Sequence, residues 1–169
     1  MQFDKSAFQF LTDLKKNNNR DWFTERKDIF KEHQNHAKEF YAAIRENLER
    51  HDEIDQFKLF RIYRDVRFSK DKTPYQLHFA GSFSRTGAHL RGGYYLRIRP
   101  GESFLAGGFW EPNKEDLQRI RKEIELDATE FRDILKDKNF NRYFGDNFQG
   151  EELKSAPRGF DKEHPDVDL

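Results

Sequence analysis

A short segment of the sequence concentrates side chains that bind anions. Within residues 61–72, five basic residues are accompanied by two acidic ones: Arg61, Arg64, Arg67, Lys70 and Lys72, with Asp65 and Asp71. Guanidinium groups form paired hydrogen bonds with phosphate or carboxylate oxygens, and ammonium groups add point charges. Two aspartates are too few to neutralise five cations. The segment therefore predicts a binding site for an anionic small molecule, with a phosphate-bearing ligand as the leading hypothesis.

Other residue types in and near this segment suit the same ligand. The Ser69 hydroxyl and the backbone N–H groups of a loop are donors for phosphate oxygens, and the rings of Tyr75 and Trp110 can stack on a ligand. Asp65 would orient the cations or, in an enzyme, act as a base. No catalytic residue can be assigned, so the existence of a reaction is left open. The predicted ligand-binding residues are Arg61, Arg64, Asp65, Arg67, Ser69, Lys70, Lys72, Tyr75 and Trp110.

The same charges are open to other interpretations. Surface ion pairs often contribute little to stability, so the charged side chains of residues 61–67 can equally form a structural ion-pair ladder beside a solvated loop. A nucleic-acid-binding domain is a second alternative, in which bases stack on Tyr63, Tyr94 and Tyr95. A salt-dependent protein-interaction module is a third, with the basic face docked on an acidic partner. The sequence alone does not decide among them.

The charge distribution favours a local site over a uniformly basic surface. The 169 residues carry 31 basic and 31 acidic side chains, but Lys58 to Arg99 contain ten basic and two acidic residues, a local charge of +8. The rest of the chain balances this with −8. Aromatic residues make up 15%, including 18 phenylalanines, which disordered chains lack. Length and composition predict one globular domain over residues 1–169 and leave the oligomeric state open.

Several kinds of protein and site are disfavoured by what the sequence lacks. It contains no cysteine, which excludes disulfides and thiolate metal sites. No apolar run is long enough to cross a bilayer, and no secretory leader is recognisable, so a cytoplasmic location without a membrane partner is expected. His33 and His36 carry no further metal-binding signature and are interpreted as helix-surface residues. Neither a metal nor a cofactor is expected.

Helical periodicity is clearest in the first 50 residues. The spacing of apolar residues predicts a helix over residues 6–15, with Asp4 or Ser6 as its N-cap. A second, uninterrupted helix is predicted over residues 21–50, with Asn19 as its N-cap. Helical periodicity returns in the C-terminal third of the chain.

The segment between these helical regions is rich in aromatic and β-branched residues, which is typical of strands. Residues 59–68 are predicted to be a strand in which arginines alternate with other side chains across the two faces. The Arg-Pro-Gly-Glu sequence at residues 99–102 has the pattern of a type II turn and joins predicted strands at residues 94–98 and 103–109. The predicted fold is α+β, with an antiparallel sheet of about four strands packed against N-terminal and C-terminal helices.

Four segments, taken in order, resemble one known family. They are NNNRDWF, FRIYRDVRFSKDKTPYQLHFAG, SFLAGGFWEP and LKSAPRGFDKEHP. Their order resembles that of domain of unknown function 2461, DUF2461, over nearly the whole chain. The resemblance implies a conserved intracellular domain without an assigned activity, and it supplies no catalytic residues. Gln76 departs from the lysine common in that family, and family members tend to continue beyond the point that matches Leu169, so a closing helical segment is expected to be missing.

Overall fold

The computed structural model describes residues 2–87, 89–145 and 153–169. Over these residues the chain forms six helices and a four-stranded antiparallel sheet, which confirms the predicted α+β class. It divides into two compact units, Met1–Trp110 and Glu111–Leu169. The first unit contains three helices and the whole sheet, and the second contains the other three helices. Along the described chain, no helix combines the length and apolar character that crossing a membrane requires.

The first unit begins with three helices. They are α1, Lys5–Lys16; α2, Arg20–Glu25; and α3, Lys27–Leu48. Side-chain oxygens cap the first two helices, because Asp4 accepts a hydrogen bond from the Ser6 N–H and Asn19 accepts one from the Trp22 N–H. The predicted cap at Asn19 is therefore confirmed, and of the two candidates for α1 the cap is Asp4.

The prediction of a single helix over residues 21–50 is wrong, because the helix is interrupted at Arg26. The backbone of Arg26 has φ −112° and ψ 13°, and its N–H bonds the carbonyls of Phe23 and Thr24 as a C-cap. In a straight helix Phe23 and Phe30 would lie about 10 Å apart along the axis. Their ring centroids are only 5.1 Å apart, and both rings are buried. The break therefore lets both aromatic side chains pack in one core.

The four strands follow in sequence order across the sheet. They are β1, Ile54–Leu59; β2, Phe79–Arg85; β3, Gly93–Ile98; and β4, Phe104–Gly108, each antiparallel to its neighbours. The predicted turn between β3 and β4 is confirmed, since Gly101 has φ 74° and the Glu102 N–H donates to the Arg99 carbonyl at 3.1 Å. Glycine suits that position because a positive φ costs it no Cβ clash.

One tyrosine of α3 fixes that helix against the sheet. The ring of Tyr41 stacks on Phe83 with centroids 5.8 Å apart, and its hydroxyl donates to the Leu96 carbonyl at 2.9 Å. Burial raises the pKa of the Tyr41 phenol well above its usual value, so the phenol stays neutral. Gly81 lies beneath the ring, where an added Cβ would come within 2.8 Å of a ring carbon. The close approach of α3 to β2 therefore requires glycine there.

The strand predicted over residues 59–68 is wrong. β1 ends at Leu59, and the fully described segment between it and β2 contains only an isolated bridge between Tyr63 and Tyr75. Leu59 lies opposite Gly81, and the Phe60 N–H still donates to the Ala80 carbonyl at 2.8 Å, but β2 begins at Phe79, so its pairing partners run out just beyond this point. Without a partner, the backbone of the arginine-rich segment forms a loop.

His33 does not lie on the helix surface as predicted. It is 7% exposed, and its ring packs against Phe10 with centroids 5.5 Å apart. The helical repeat places it on the same side of α3 as Phe30 and Ala37, which are also buried. His36 is exposed, as predicted. The two histidines therefore share a helix but not an environment.

The second unit is a group of three helices followed by an irregular tail. The helices are α4, Lys114–Leu126; α5, Thr129–Lys136; and α6, Lys138–Phe144. Asn113 caps α4 by accepting a hydrogen bond from the Asp116 N–H at 2.8 Å. Arg132 of α5 forms ion pairs with Asp166 and Asp168, each at 2.6 Å. These polar contacts hold the tail against α5.

Candidate anion-binding site

The basic side chains lie in a loop closed by backbone hydrogen bonds. Residues 61–75 are called the basic loop below. The Arg64 N–H donates to the Pro74 carbonyl at 2.8 Å, and the Gln76 N–H donates to the Ile62 carbonyl at 2.7 Å. The two ends of the loop are thus held side by side, and its charged tip projects from a fixed base.

The side chain of Asn18 holds one end of the basic loop. Its amide nitrogen donates to the Tyr75 carbonyl at 2.9 Å, and its amide oxygen accepts from the Tyr75 N–H at 3.1 Å. Tyr75 is 5% exposed, so its backbone groups need protein partners. Asn18 supplies both partners and ties the loop to the connection between α1 and α2.

Arg64 is fixed by residues from the tip of its own loop. Its Nη1 donates to Asp71 Oδ2 at 2.5 Å, to the Thr73 carbonyl at 3.1 Å and to the Thr73 hydroxyl. Asp71 also accepts from the Thr73 N–H at 2.9 Å, and this bond, followed by those from Arg64 and the Thr73 hydroxyl, lowers the pKa of Asp71 to about 2. Within the described chain, all hydrogen bonds of the Arg64 side chain leave from Nη1, and its Nε and Nη2 donors bond none of the described residues.

A cavity of about 400 Å³ adjoins this guanidinium. It is called the loop cavity below. Three cations line it, Arg20 from α2, Lys27 from α3 and Arg64 from the basic loop, and none of its described lining residues is acidic. Arg20 and Lys27 are exposed, whereas the Arg64 side chain is only 21% exposed. The fold therefore gathers positive charge from three elements around a space of the size that small-molecule sites have.

Aromatic rings form the other part of the cavity lining. Phe23 and Tyr75 are stacked with centroids 3.9 Å apart, and Tyr63 lies 5.4 Å from Tyr75. Burial, with a smaller contribution from Tyr63, raises the pKa of Tyr75, and the charge of Arg20 opposes this rise. One face of the Tyr75 ring is thus covered by Phe23, whereas Tyr63 is 47% exposed. Tyr63 is the ring of this group that is most open to a ligand.

Of the predicted ligand-binding residues, Arg64 and Tyr75 line the loop cavity. Arg67 and Asp65 instead pair with each other, with Nη2 to Oδ2 at 2.6 Å and Nε to Oδ1 at 3.0 Å. This bond raises the pKa of Arg67 and lowers the pKa of Asp65. Both residues are exposed, so the pair matches the structural alternative that the sequence left open.

The remaining predicted residues lie outside the lining of the loop cavity. The Lys72 ammonium donates to a backbone carbonyl of the basic loop at 2.9 Å, and the Ser69 N–H approaches the same carbonyl at 3.4 Å. Arg61 and Lys70 are exposed, and Trp110 is 86% exposed. These side chains belong to the first unit but do not converge on the cavity.

Two cations of the cavity were missed by the sequence analysis, because they lie far from the basic loop along the chain. Arg20 belongs to the segment NNNRDWF, which contributed to the family resemblance, and this was the available signal. Lys27 is one of many charged residues on a long helical segment and carried no signal. Both reach the site only because α2 and the start of α3 pack beside the loop.

The three tyrosines considered for base stacking do not share one surface. Tyr63 lines the loop cavity. Tyr94 lies on the face of the sheet that packs against α3. Its hydroxyl donates to Asp52 Oδ2 at 2.7 Å. Tyr95, the next residue along β3, points to the opposite face of the sheet because side chains alternate along a strand.

On that opposite face, Tyr95 lies in a row of three aromatic rings. Its centroid is 6.3 Å from that of Phe60 and 5.5 Å from that of Phe104. The Lys58 ammonium lies 6.0 Å from the Phe60 centroid, and the Arg97 guanidinium lies 4.4 Å from the Phe104 centroid. Phe60 and Phe104 are each about two-fifths exposed, at 39% and 42%. This group is called the aromatic row below.

Comparisons with known proteins identify a family but no characterised relative. The sequence model of one family, described as "Conserved hypothetical protein (DUF2461)", matches residues 6–169. No curated protein and no solved structure matches the chain. The match covers the basic loop, the sheet and both compact units. The chain therefore belongs to the DUF2461 family of conserved hypothetical proteins.

Proposed function

We propose that this DUF2461 protein binds a small phosphate-bearing anion in the loop cavity. The observation that carries the proposal is the convergence of Arg20, Lys27 and Arg64 on one cavity whose described lining includes no acid. A phosphate dianion entering this space meets three cations and no competing carboxylate on the cavity wall. Such an arrangement attracts anions even though the net charge of the chain is zero.

Arg64 is the residue that orients the ligand. Its guanidinium is already held through Nη1 by Asp71 and Thr73, so binding freezes less of its conformational freedom than it would for a mobile side chain. The remaining donors form a planar fork that matches two phosphate oxygens. A hydrogen bond to a charged group contributes about 1.5–3 kcal/mol. Arg20 and Lys27 supply the rest of the neutralising charge from more exposed positions.

The aromatic lining indicates what the phosphate is attached to. Tyr63 is half-exposed beside the cavity and is backed by Tyr75 and Phe23. Such a ring suits contact with the flat or apolar face of a sugar or base. The volume of the cavity suits a phosphosugar or a mononucleotide better than a polymer. The proposed ligand class is thus a small phosphate ester.

The proposal is one of binding, without an assigned reaction. Asp65, the residue that the sequence suggested as a possible base, is paired with Arg67 and is not among the residues that line the cavity. The described lining contains neither a carboxylate nor an imidazole. General acid–base chemistry at this position is therefore not proposed.

Calorimetric titration at low ionic strength tests the proposal. The ligands are inorganic phosphate, ribose 5-phosphate and AMP, and the last two are compared with their uncharged counterparts, ribose and adenosine. We expect the phosphorylated compounds to bind, the counterparts to fail, and the affinity to fall as salt is added. Binding of adenosine as tight as that of AMP, or no binding of any phosphate compound, would contradict a phosphate site.

The aromatic row favours a second candidate function, the binding of single-stranded nucleic acid. Three neighbouring rings flanked by a lysine and an arginine resemble the stacking surfaces that accept bases together with their phosphates. Fluorescence anisotropy with labelled oligonucleotides tests it. We expect Phe104→Ala to weaken binding. The control Tyr143→Ala removes an exposed ring of the second unit and should leave binding unchanged. The logarithm of the affinity should fall with the logarithm of the salt concentration by about 0.7 per phosphate contact. Equal binding by both variants would contradict this candidate.

Other expectations from the sequence stay predictions. They are a cytoplasmic location, one folding domain over residues 1–169, and salt-dependent docking of the basic face on an acidic partner or on the acidic helices of another copy of the chain. Sedimentation at low and high salt tests the last of these, because self-association through opposite charges must weaken as salt screens them.

A further inference from the structure

The start of α1 and the middle of α3 bring three potential metal ligands together. His33 and His36 are one helical turn apart, so their side chains share one side of α3. Asp4, the N-cap of α1, lies between them: its Oδ2 is 3.4 Å from His33 Nδ1 and 3.6 Å from His36 Nδ1. One ligand atom from each residue lies within 4.8 Å of the other two.

The environment of His33 points to a ligand. The residue is 7% exposed, and its Nδ1 is shielded from solvent without a hydrogen-bond partner in the described chain. A buried ring nitrogen that can donate or accept but does neither is costly. The ring packs on Phe10, and its Nδ1 lies 3.4 Å from Asp4 Oδ2. The unpartnered nitrogen therefore lies beside the carboxylate that the His36 ring also approaches.

We propose that Asp4, His33 and His36 bind one divalent transition-metal ion of the zinc class. In a tetrahedral zinc site with bonds of about 2.0–2.1 Å, ligand atoms lie roughly 3.3 Å from one another. The two nitrogen–oxygen distances of 3.4 and 3.6 Å approach that separation before any ion is bound. Two imidazoles and one carboxylate leave a fourth position for water or an external ligand.

A simple hydrogen-bonded ion pair explains the arrangement less well. Both separations are at or beyond the range of good nitrogen–oxygen hydrogen bonds, and the contact of His33 does not have the geometry of one. Asp4 Oδ2 also accepts the Ser6 hydroxyl at 2.5 Å, and its Oδ1 accepts the Ser6 N–H. An ion between the three side chains satisfies both ring nitrogens at once and uses the carboxylate already fixed by its capping role.

The ligand set restricts the class of ion. Imidazole and carboxylate ligands without thiolates suit Zn²⁺, Co²⁺ or Ni²⁺, and disfavour Cu⁺, which prefers sulfur. His36 and the Asp4 side chain are partly exposed, at 58% and 32%, so an ion can reach the site from solvent. Lys27 of the loop cavity lies six residues earlier in α3, about 9 Å along the axis. The metal proposal therefore stands or falls independently of the anion proposal.

Zinc titration of tag-free, metal-depleted protein tests the proposal, with a chromophoric zinc chelator as competitor and Co²⁺ absorption as a second readout. His36→Ala removes an exposed ligand, and Asp4→Asn keeps a good N-cap while removing the charge. His51→Ala is the control, because His51 is an exposed histidine outside the cluster. Circular dichroism checks that each variant is folded.

We expect one Zn²⁺ per chain, with affinity lowered roughly tenfold or more by His36→Ala and by Asp4→Asn, and unchanged by His51→Ala. We also expect the visible Co²⁺ bands of a four-coordinate site, lost in His36→Ala. Failure of the protein to compete with the chelator, or equal affinity of His36→Ala and His51→Ala, would overturn the proposal. A loss caused by Asp4→Asn alone would also overturn it, because three ligands are claimed.

Discussion

Two regions of the first unit are well defined, but by different forces: one is the basic loop, and the other is the core that lies between α3 and the sheet. Tyr41 is fully buried between α3 and the sheet, with its ring stacked on Phe83 above Gly81. The basic loop is held by hydrogen bonds from Asn18 and by the Arg64–Asp71 pair, much of it in contact with solvent. The core gains its stability from the exclusion of water, whereas the loop gains its shape from polar contacts. The candidate site can therefore be altered while the fold persists.

The two regions should differ most in how much they contribute to the free energy of unfolding. Tyr41→Ala removes a buried ring and a hydrogen bond, and we expect a loss of about 3–5 kcal/mol in the free energy of unfolding. Tyr63→Ala, the control, removes a ring that is 47% exposed beside the loop cavity, and we expect a loss of about 1 kcal/mol or less. Urea denaturation followed by circular dichroism measures both. Equal losses would show that the loop carries as much stability as the core.

A smaller effect is expected at the base of the loop. Asn18→Ala leaves the buried N–H and carbonyl of Tyr75 without their side-chain partner, and we expect a loss of about 1–3 kcal/mol. Asn35→Ala, at an exposed position of α3, is the control and should change stability by about 0.5 kcal/mol or less. The same denaturation experiment applies. If the two variants are equally stable, the hydrogen bonds of Asn18 do not stabilise the basic loop.

The smallest effect concerns the tip of the loop and its response to pH. The pKa of Asp71 is about 2 in the folded protein, below its ordinary value of 3.8. A carboxylate with a lowered folded pKa contributes stability above its unfolded pKa and loses that contribution as pH falls. We therefore expect the Arg64–Asp71 contact to be intact above about pH 4 and lost toward pH 2. Titration of the Asp71 carboxyl carbon by NMR measures this, and a midpoint near 3.8 would show that the contact is absent in solution.

Local signals in the sequence predicted the elements of the core well. The N-caps Asp4 and Asn19 and the turn at residues 99–102 depend on neighbouring residues, whose side chains and dihedral preferences are visible in the sequence. The alternating pattern of residues 59–68 was misleading, because alternation does not show whether a partner strand is present. Arg26 breaks a helix that has no glycine or proline, because the packing of Phe23 and Phe30 decides there.

The candidate site was only partly predictable for the same reason. The sequence showed an excess of cations near Arg64, but it could not show that Arg67 and Asp65 neutralise each other while Asp71 positions Arg64. Arg20 and Lys27 enter the site through tertiary packing. A charge count along the chain therefore located the loop but not the set of side chains that converge.

The most direct test of the anion site compares two double variants that remove the same charge. Arg20→Gln with Lys27→Gln removes two cations from the loop cavity, and Arg61→Gln with Lys70→Gln removes two exposed cations of the basic loop that do not line it. The affinity for ribose 5-phosphate is measured by calorimetry at low ionic strength. We expect the first pair to lower the affinity roughly tenfold or more, the loss of about one charge-assisted hydrogen bond, and the second pair to lower it about twofold or less through long-range attraction alone. Equal losses in the two double variants would contradict a defined cavity site and leave only diffuse attraction to a basic surface.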